Sequence, residues 1–129
     1  MTDPTLITNA APEPRGPYPH ARTYNGLVYV TGQIGRDPTT QMIVKDGFAA
    51  EFHQAITNLE HILTEAGSSL DRVVRAEVQF VNEADLDAMN GIYAERFREP
   101  YPARTSYGAA FLWKGAQVQI SAVASLNDA

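Results

Sequence analysis

The 129-residue chain has no cysteine. That one absence removes disulfides, thiolate nucleophiles and cysteine-based zinc sites together, and it suits a cytoplasmic protein. Grouped positive charge is also missing. Ten Lys and Arg are scattered among fifteen Asp and Glu, for a net charge of −5. A surface that tracks phosphates needs clustered cations, so no nucleic-acid partner is expected. No apolar run approaches the roughly 18 residues of a membrane span. The opening "MTDPTLITNAAPEPRG" lacks the basic and apolar regions of a signal peptide, so no membrane partner is expected either. HExxH, P-loop and GxGxxG patterns are absent, and nothing implies a metal or a cofactor. There is no repeat, low-complexity tract or linker, and the length suits one domain, 1–129.

What is present reads as alternating strands and helices. "AAPEPRGPYPH", Ala10 to His20, holds four prolines and a glycine and must be an extended loop. Loops of that length in a compact domain often carry function. Asn25-Gly26 between runs of Val, Tyr and Thr predicts a hairpin of strands over 21–24 and 27–31. The following "GQIGRDPTTQMIVKDG" is turn-rich and irregular. Phe48, Phe52, Ala55, Ile56, Leu59, Ile62, Leu63 and Ala66 recur at helical spacing. Asp46 is the expected N-cap of that helix and Gly67 its stop.

"VVRAEVQFV" alternates with period two, Val74, Ala76, Val78 and Phe80 facing one way and Arg75, Glu77 and Gln79 the other. Asn82 with Asp85 resembles a capping box opening a second helix, with Leu86, Met89, Tyr93 and Phe97 inward. Strands over 103–110 and 117–125 close the chain, joined by "FLWKG". A short strand at "TLIT" completes a β-β-β-α-β-α-β-β order. The expected fold class is α+β, with two helices packed on one face of a mixed six-stranded sheet.

The second face of that sheet reads as polar: Arg75, Glu77 and Gln79, then Arg104 and Ser106, then Gln117, Gln119 and Ser121. A solvated face is one account of it. These positions carry no lysine and few charges, however, which favours burial against other copies in an oligomer with hydrogen-bonded interfaces.

Three histidines could bear chemistry. His53 and His61 lie eight residues apart on one helix, a spacing that suits a solvated face better than a ligand pair. Nothing sets Ser, His and Asp in a nucleophile-elbow context. Arg104, in "PYPARTSYGAAF", stands out more. Pro100 and Pro102 stiffen the backbone just before it. Its guanidinium offers a rigid fork suited to a carboxylate. A structural ion pair with Glu77 or Glu99 is the plainer account.

Several segments together resemble the RidA family, also called YjgF or the L-PSP endoribonuclease family. They are "GPYPHA", "NGLVYVTGQIGRDP", "NLEHILTEAGSSLDRVV", "MNGIYAERF", "PYPARTS" and "VQISAVA", in that order, spanning about Pro14 to Ala124. The resemblance implies a chorismate-mutase-like fold (bacillus type) and a homotrimer whose sheets form a central barrel, with sites at subunit interfaces. It implies hydrolysis of enamine or imine intermediates of small 2-amino acids to 2-keto acids and ammonia. Arg104 would then hold the substrate carboxylate. Tyr18, Thr31, Gly32 and Ser106 would line the substrate pocket.

One position departs from that pattern. Typical deaminase members close with "EIEAIA", whose first glutamate positions the attacking water. Here Gln119 stands at that place and Ser121 at the next. An amide can hydrogen-bond water but cannot take its proton. Two alternatives stay open: a non-hydrolytic member that binds small 2-oxo acids, and a deaminase for an aminomuconate-type enamine. "YPH" resembles the latter branch, with His20 as a stand-in acid/base. RNA cleavage, reported within the family, fits poorly with the acidic charge.

Overall fold

The structure, a computed structural model, describes residues 4–127. Eight regular elements follow in order: β1 Thr5–Leu6, β2 Ala21–Tyr24, β3 Leu27–Gln33, α1 Phe48–Ala66, β4 Val73–Phe80, α2 Leu86–Arg96, β5 Ala103–Gly108 and β6 Val118–Ser125. The strands form one sheet in the order β1-β2-β3-β6-β4-β5. All neighbours are antiparallel except β4 and β5, so the sheet is mixed, as expected. No helix is long and apolar enough to cross a membrane among the described residues.

The predicted hairpin forms where Asn25 and Gly26 both take positive φ, 51° and 78°, the geometry of a type I′ turn. The helix α1 lies across β3 and β6 and beside α2. Phe52, Ile56, Leu59 and Leu63 of α1 meet Val28, Val78 and Ile120 of the sheet and Met89 of α2, all with no solvent exposure. Each such side chain contributes roughly 1.5–3 kcal/mol when fully buried. Asn58 is buried among them, its Nδ2 donating to the carbonyls of Ile34 (3.2 Å) and Arg36 (2.8 Å). It thereby pins the irregular segment after β3 to the helix.

Both helix starts differ from expectation. Gly47, not Asp46, is the N-cap of α1, at φ 93°, and no side chain caps it. A positive φ there excludes the extended conformation in which a side-chain cap forms. Gly67, left-handed at φ 88°, ends the helix as predicted. Before α2, Asn82 accepts from the Ala84 N–H at 2.9 Å, but a 3₁₀ turn over Glu83–Asp85 intervenes, so no reciprocal capping box forms.

Strand limits shift as well. β3 runs on to Gln33, β4 stops at Phe80, β5 at Gly108, and β6 starts at Val118. A bulge between Val73 and Arg75 adds one residue to β4. Val73 is therefore in the core and Val74 is 51% exposed, the reverse of strict alternation.

The largest correction concerns the polar face. Register pairs Ala76 with Arg104 and Val78 with Ser106. Paired residues of neighbouring strands project to the same side, so Arg104 and Ser106 lie on the helix side of the sheet. Thr105 and Tyr107 take the outer side: Arg75 donates to Thr105 Oγ1 at 3.1 Å and Gln79 to the Tyr107 hydroxyl at 2.7 Å. Gln117 also leaves that face. It precedes β6, and its main-chain N–H and side-chain Nε2 donate to the Glu51 carboxylate at 2.8 and 2.6 Å. Arg75, Glu77, Gln79, Gln119 and Ser121 remain outward, paired across β4 and β6.

Candidate functional site

A second bulge builds the first candidate site. Between β3 and β6, Val30 pairs with Ala122 and Gln33 with Ile120, so three steps on β3 match two on β6. Such an extra residue re-aims side chains and loosens the ladder. Here Thr31 and Gly32 occupy the bulge. Thr31 turns its hydroxyl to donate to the Pro19 carbonyl at 2.8 Å, and its N–H bonds the His20 carbonyl at 3.0 Å. The proline-rich loop is thus fastened alongside β3. Between them opens a cleft of about 90 Å³ whose lining includes Tyr18, Pro19, Thr31, Gly32, Arg36, Trp113 and Gln119. Tyr18 stands half exposed at its rim.

Gln119 enters the cleft from β6. Its Nε2 donates to Gln79 Oε1 at 3.2 Å, and Gln79 Nε2 donates to the Tyr107 hydroxyl. This row of amides crosses the outer face from β6 to β5. With Nε2 engaged, the carbonyl oxygen of Gln119 is the group left to accept a hydrogen bond.

His20 lines the same cleft but is 2% exposed. Its Nδ1 accepts from the Thr8 N–H at 3.2 Å, and Nε2 lies 2.7 Å from the Pro12 carbonyl. An acceptor role for Nδ1 and a carbonyl opposite Nε2 together place a ring proton on Nε2. Both nitrogens tie loop to loop, which speaks against an acid/base task.

Arg36 is the cleft's other buried polar side chain of note, 7% exposed. Its guanidinium donates to the carbonyls of Gln41 (3.1 Å) and Glu13 (2.8 Å) and to Gln41 Oε1 (3.0 Å), and it lies over the Trp113 ring at 5.1 Å. Burial first, and nearby Arg15 second, pull its pKa down. Among the described residues no carboxylate comes within ion-pair distance of it.

Arg104 occupies a different place. It lies on the helix side of the edge strand β5, in a hollow of about 270 Å³ lined by Tyr93, Ala94, Tyr101, Pro102 and Arg104. Its guanidinium sits 4.6 Å from the Tyr93 ring centroid and donates to Asn90 Oδ1 at 2.6 Å. The ion pair with Glu77 or Glu99 is not made, and Glu77 pairs instead with Arg75 at 3.1 Å. Arg104 therefore holds a cation steered by neutral groups. Beside it, the hydroxyls of Tyr93 and Ser106 are buried without a hydrogen-bond partner among the described residues. Burial pushes the Tyr93 hydroxyl pKa up to about 12, against a downward pull from Arg104.

Within one chain, then, Tyr18, Thr31, Gly32 and Gln119 come together, whereas Arg104 and Ser106 stand apart on the other side of the sheet. Sequence reasoning missed Arg36, Trp113 and Asn90. Arg36 and Trp113 sit in irregular segments where periodicity carries no signal. Asn90 could have been suspected, because it neighbours Met89 and Tyr93 on a helix packed beside Arg104.

Comparison with known proteins agrees with this architecture. The family model described as Endoribonuclease L-PSP matches residues 8–126. A 2-iminobutanoate/2-iminopropanoate deaminase of Capra hircus is 38% identical over 119 residues, covering 92% of this chain and 87% of its own. A RutC family protein of Pyrococcus abyssi is 36% identical over 96% of this chain and 98% of its own. The crystal structure of RidA from an Antarctic Psychrobacter superposes with a TM-score of 0.91 at 34% identity, over 95% of this chain and 98% of that one. With the fold and the ordered motifs matched along nearly its whole length, the chain belongs to the RidA (YjgF, L-PSP endoribonuclease) family.

Proposed function

We propose that this protein hydrolyses imine and enamine intermediates of small 2-amino acids, giving 2-keto acids and ammonia, at sites completed between copies of a homotrimer. The observation that carries the reading is the split of the site. The Thr31–Gly32–Gln119 cleft and the Arg104 hollow lie on opposite sides of one sheet. Each is half of a carboxylate-and-water site, and a second copy would supply the missing half. Half-exposed Tyr29 and Tyr107 and outward Val74, beside the hydrogen-bonded Arg75, Gln79 and Gln119, give the outer face the composition of a subunit interface. The cysteine-free sequence fits a cytoplasmic setting for such a reaction.

In this mechanism Arg104 clamps the substrate carboxylate through two parallel N–H bonds. Tyr18, Thr31 and Gly32 shape the wall around the reacting carbon. Gln119 accepts a hydrogen bond from the attacking water through its free carbonyl oxygen and so aims the water at the C=N carbon. A new C–O bond forms as the C=N bond opens. Proton transfer to nitrogen through water then lets ammonia leave and the C=O form. Imines already hydrolyse in water, so holding a near-attack geometry supplies most of the gain. An enamine enters the sequence after protonation at carbon.

The test generates 2-iminobutanoate with a threonine dehydratase and follows its decay. Loss of the imine faster than in buffer supports the reading, and decay at the buffer rate rejects it.

The amide at position 119 favours one second reading, a non-hydrolytic member that captures 2-oxo acids. Losing a general base typically costs on the order of 10²–10⁴ in rate. If wild type binds 2-oxobutanoate without turnover and Gln119→Glu turns over, the binding reading replaces the deaminase.

A further inference from the structure

The ten basic residues are scattered along the sequence, yet four of them converge in space. Arg15, Lys45 and Lys114 line a groove of about 580 Å³ with Met42, Ile43 and Trp113. Arg36 lies behind the same indole. The chain has two lysines in all, and both are here. Among the described residues no Asp or Glu lines the groove. Arg15 stands 3.9 Å from the Glu13 carboxylate, which is outside the lining. Lys45 and Lys114 have no carboxylate within ion-pair distance among the described residues, so in a protein of net charge −5 the groove is locally cationic.

The Trp113 ring has two cations close by, Arg36 at 5.1 Å from its centroid and Lys114 at 5.8 Å. Lys114 reaches that position because it and Gly115 take consecutive left-handed conformations, φ 53° and 81°. A lysine pays for that backbone geometry where asparagine or glycine would not. Arg36 is likewise a buried charge, met among the described residues by neutral oxygens. Two costly cation placements lie close to one aromatic ring.

Trp113 and Arg15 also line the 90 Å³ cleft beside Gln119, so cleft and groove share a wall. The cleft holds only a small reacting end. The groove, whose lining combines Met42, Ile43 and Trp113 with Arg15, Lys45 and Lys114, has room for several more carbons and a terminal anion.

We propose that this groove is a specificity subsite for the distal anionic group of an extended 2-imino acid, a substrate with an apolar spacer between its reacting end and a second carboxylate. The assignment rests on the function proposed above for the reacting end. The spacer lies along Met42, Ile43 and the face of Trp113, and the second carboxylate meets Arg15, Lys45 and Lys114. Charges act together on one anion over about a Debye length, roughly 8 Å at physiological salt, so cations lining one groove reinforce each other there.

Trp113 is the sole tryptophan, so its emission reports on the groove directly. Binding of 2-oxo dicarboxylates from five to eight carbons is compared with that of 2-oxo monocarboxylates of the same length, at fixed ionic strength. Suberate against octanoate reads the groove without a reacting end. A preference of about threefold or more for the dicarboxylate at one or more lengths is expected, since exposed charge contacts are individually weak. It should fall to parity in Lys45→Gln/Lys114→Asn, both exposed positions, with asparagine tolerating the left-handed backbone at 114. Equal affinities throughout in wild type, a preference that survives the double variant, or no response of Trp113 to any dicarboxylate would overturn the subsite. A single-stranded RNA that shifts Trp113 emission at lower concentration than every dicarboxylate would overturn the small-molecule assignment. Failure of imine hydrolysis leaves the suberate comparison standing. Hydrolysis with no dicarboxylate preference removes the subsite alone.

Discussion

A β-carbon on Gly32 would stand 2.8 Å from Cδ of Gln119 and 3.0 Å from its Nε2. The bare backbone at the β3 bulge is therefore part of what sets the Gln119 amide in its row with Gln79 and Tyr107. Any side chain at position 32 must push that amide out of line.

Gly32→Ala should separate function from stability. The clash falls on the movable part of a side chain, so unfolding free energy should drop by no more than about 1 kcal/mol. Displacement of a water-positioning group by a fraction of an ångström to an ångström can cost up to about 10²-fold in rate. Turnover of 2-iminobutanoate should fall by about tenfold or more while the denaturation midpoint barely moves. Unchanged turnover would show that the amide's position does not matter.

Arg104→Ala should remove recognition of the substrate carboxylate. A charge-assisted hydrogen bond contributes about 1.5–3 kcal/mol, so affinity for 2-oxobutanoate should fall by about tenfold to a hundredfold. Arg104→Lys should recover little, because an ammonium cannot make the paired contact. Stability should change modestly, since the substitution removes one cation–π interaction with Tyr93 and one hydrogen bond to Asn90. Undiminished 2-oxobutanoate affinity in the alanine variant would remove Arg104 from the site.

Tyr93 sets an alkaline limit. Its pKa is raised to about 12 from an ordinary value of 10.0, by burial. The unfolded chain therefore loses this proton first as pH climbs. The stabilising contribution is complete below pH 10 and is lost as pH rises through about 12. Tyr93→Phe should flatten the decline in urea midpoint across that window. It should leave stability at neutral pH equal or slightly higher, because the buried hydroxyl has no partner among the described residues. Identical alkaline slopes for both proteins would contradict the assignment.

Local patterns were legible in the sequence wherever a short-range rule governs. Asn25-Gly26 specifies its hairpin through positive φ, the apolar spacing from Phe48 to Ala66 specifies α1, and Gly67 ends it. The motifs around Tyr18, Thr31, Gly32, Arg104 and Gln119 pointed to the family without any knowledge of the fold. Those features depend on residues a few positions apart.

What depends on pairing between distant strands was decided only by the tertiary structure. Arg104 lies on the helix side because β5 runs parallel to β4 with Ala76 opposite it, a register no local pattern encodes. Val74 points outward because one bulge residue inverts the alternation. Both departures have the same cause: side chains alternate with period two, so one unforeseen residue or one shifted register exchanges the two faces of a strand. The meeting of Arg15, Arg36, Lys45 and Lys114 around Trp113 is likewise a product of folding, since it joins three irregular segments whose chain paths only the packed core and its buried hydrogen bonds determine.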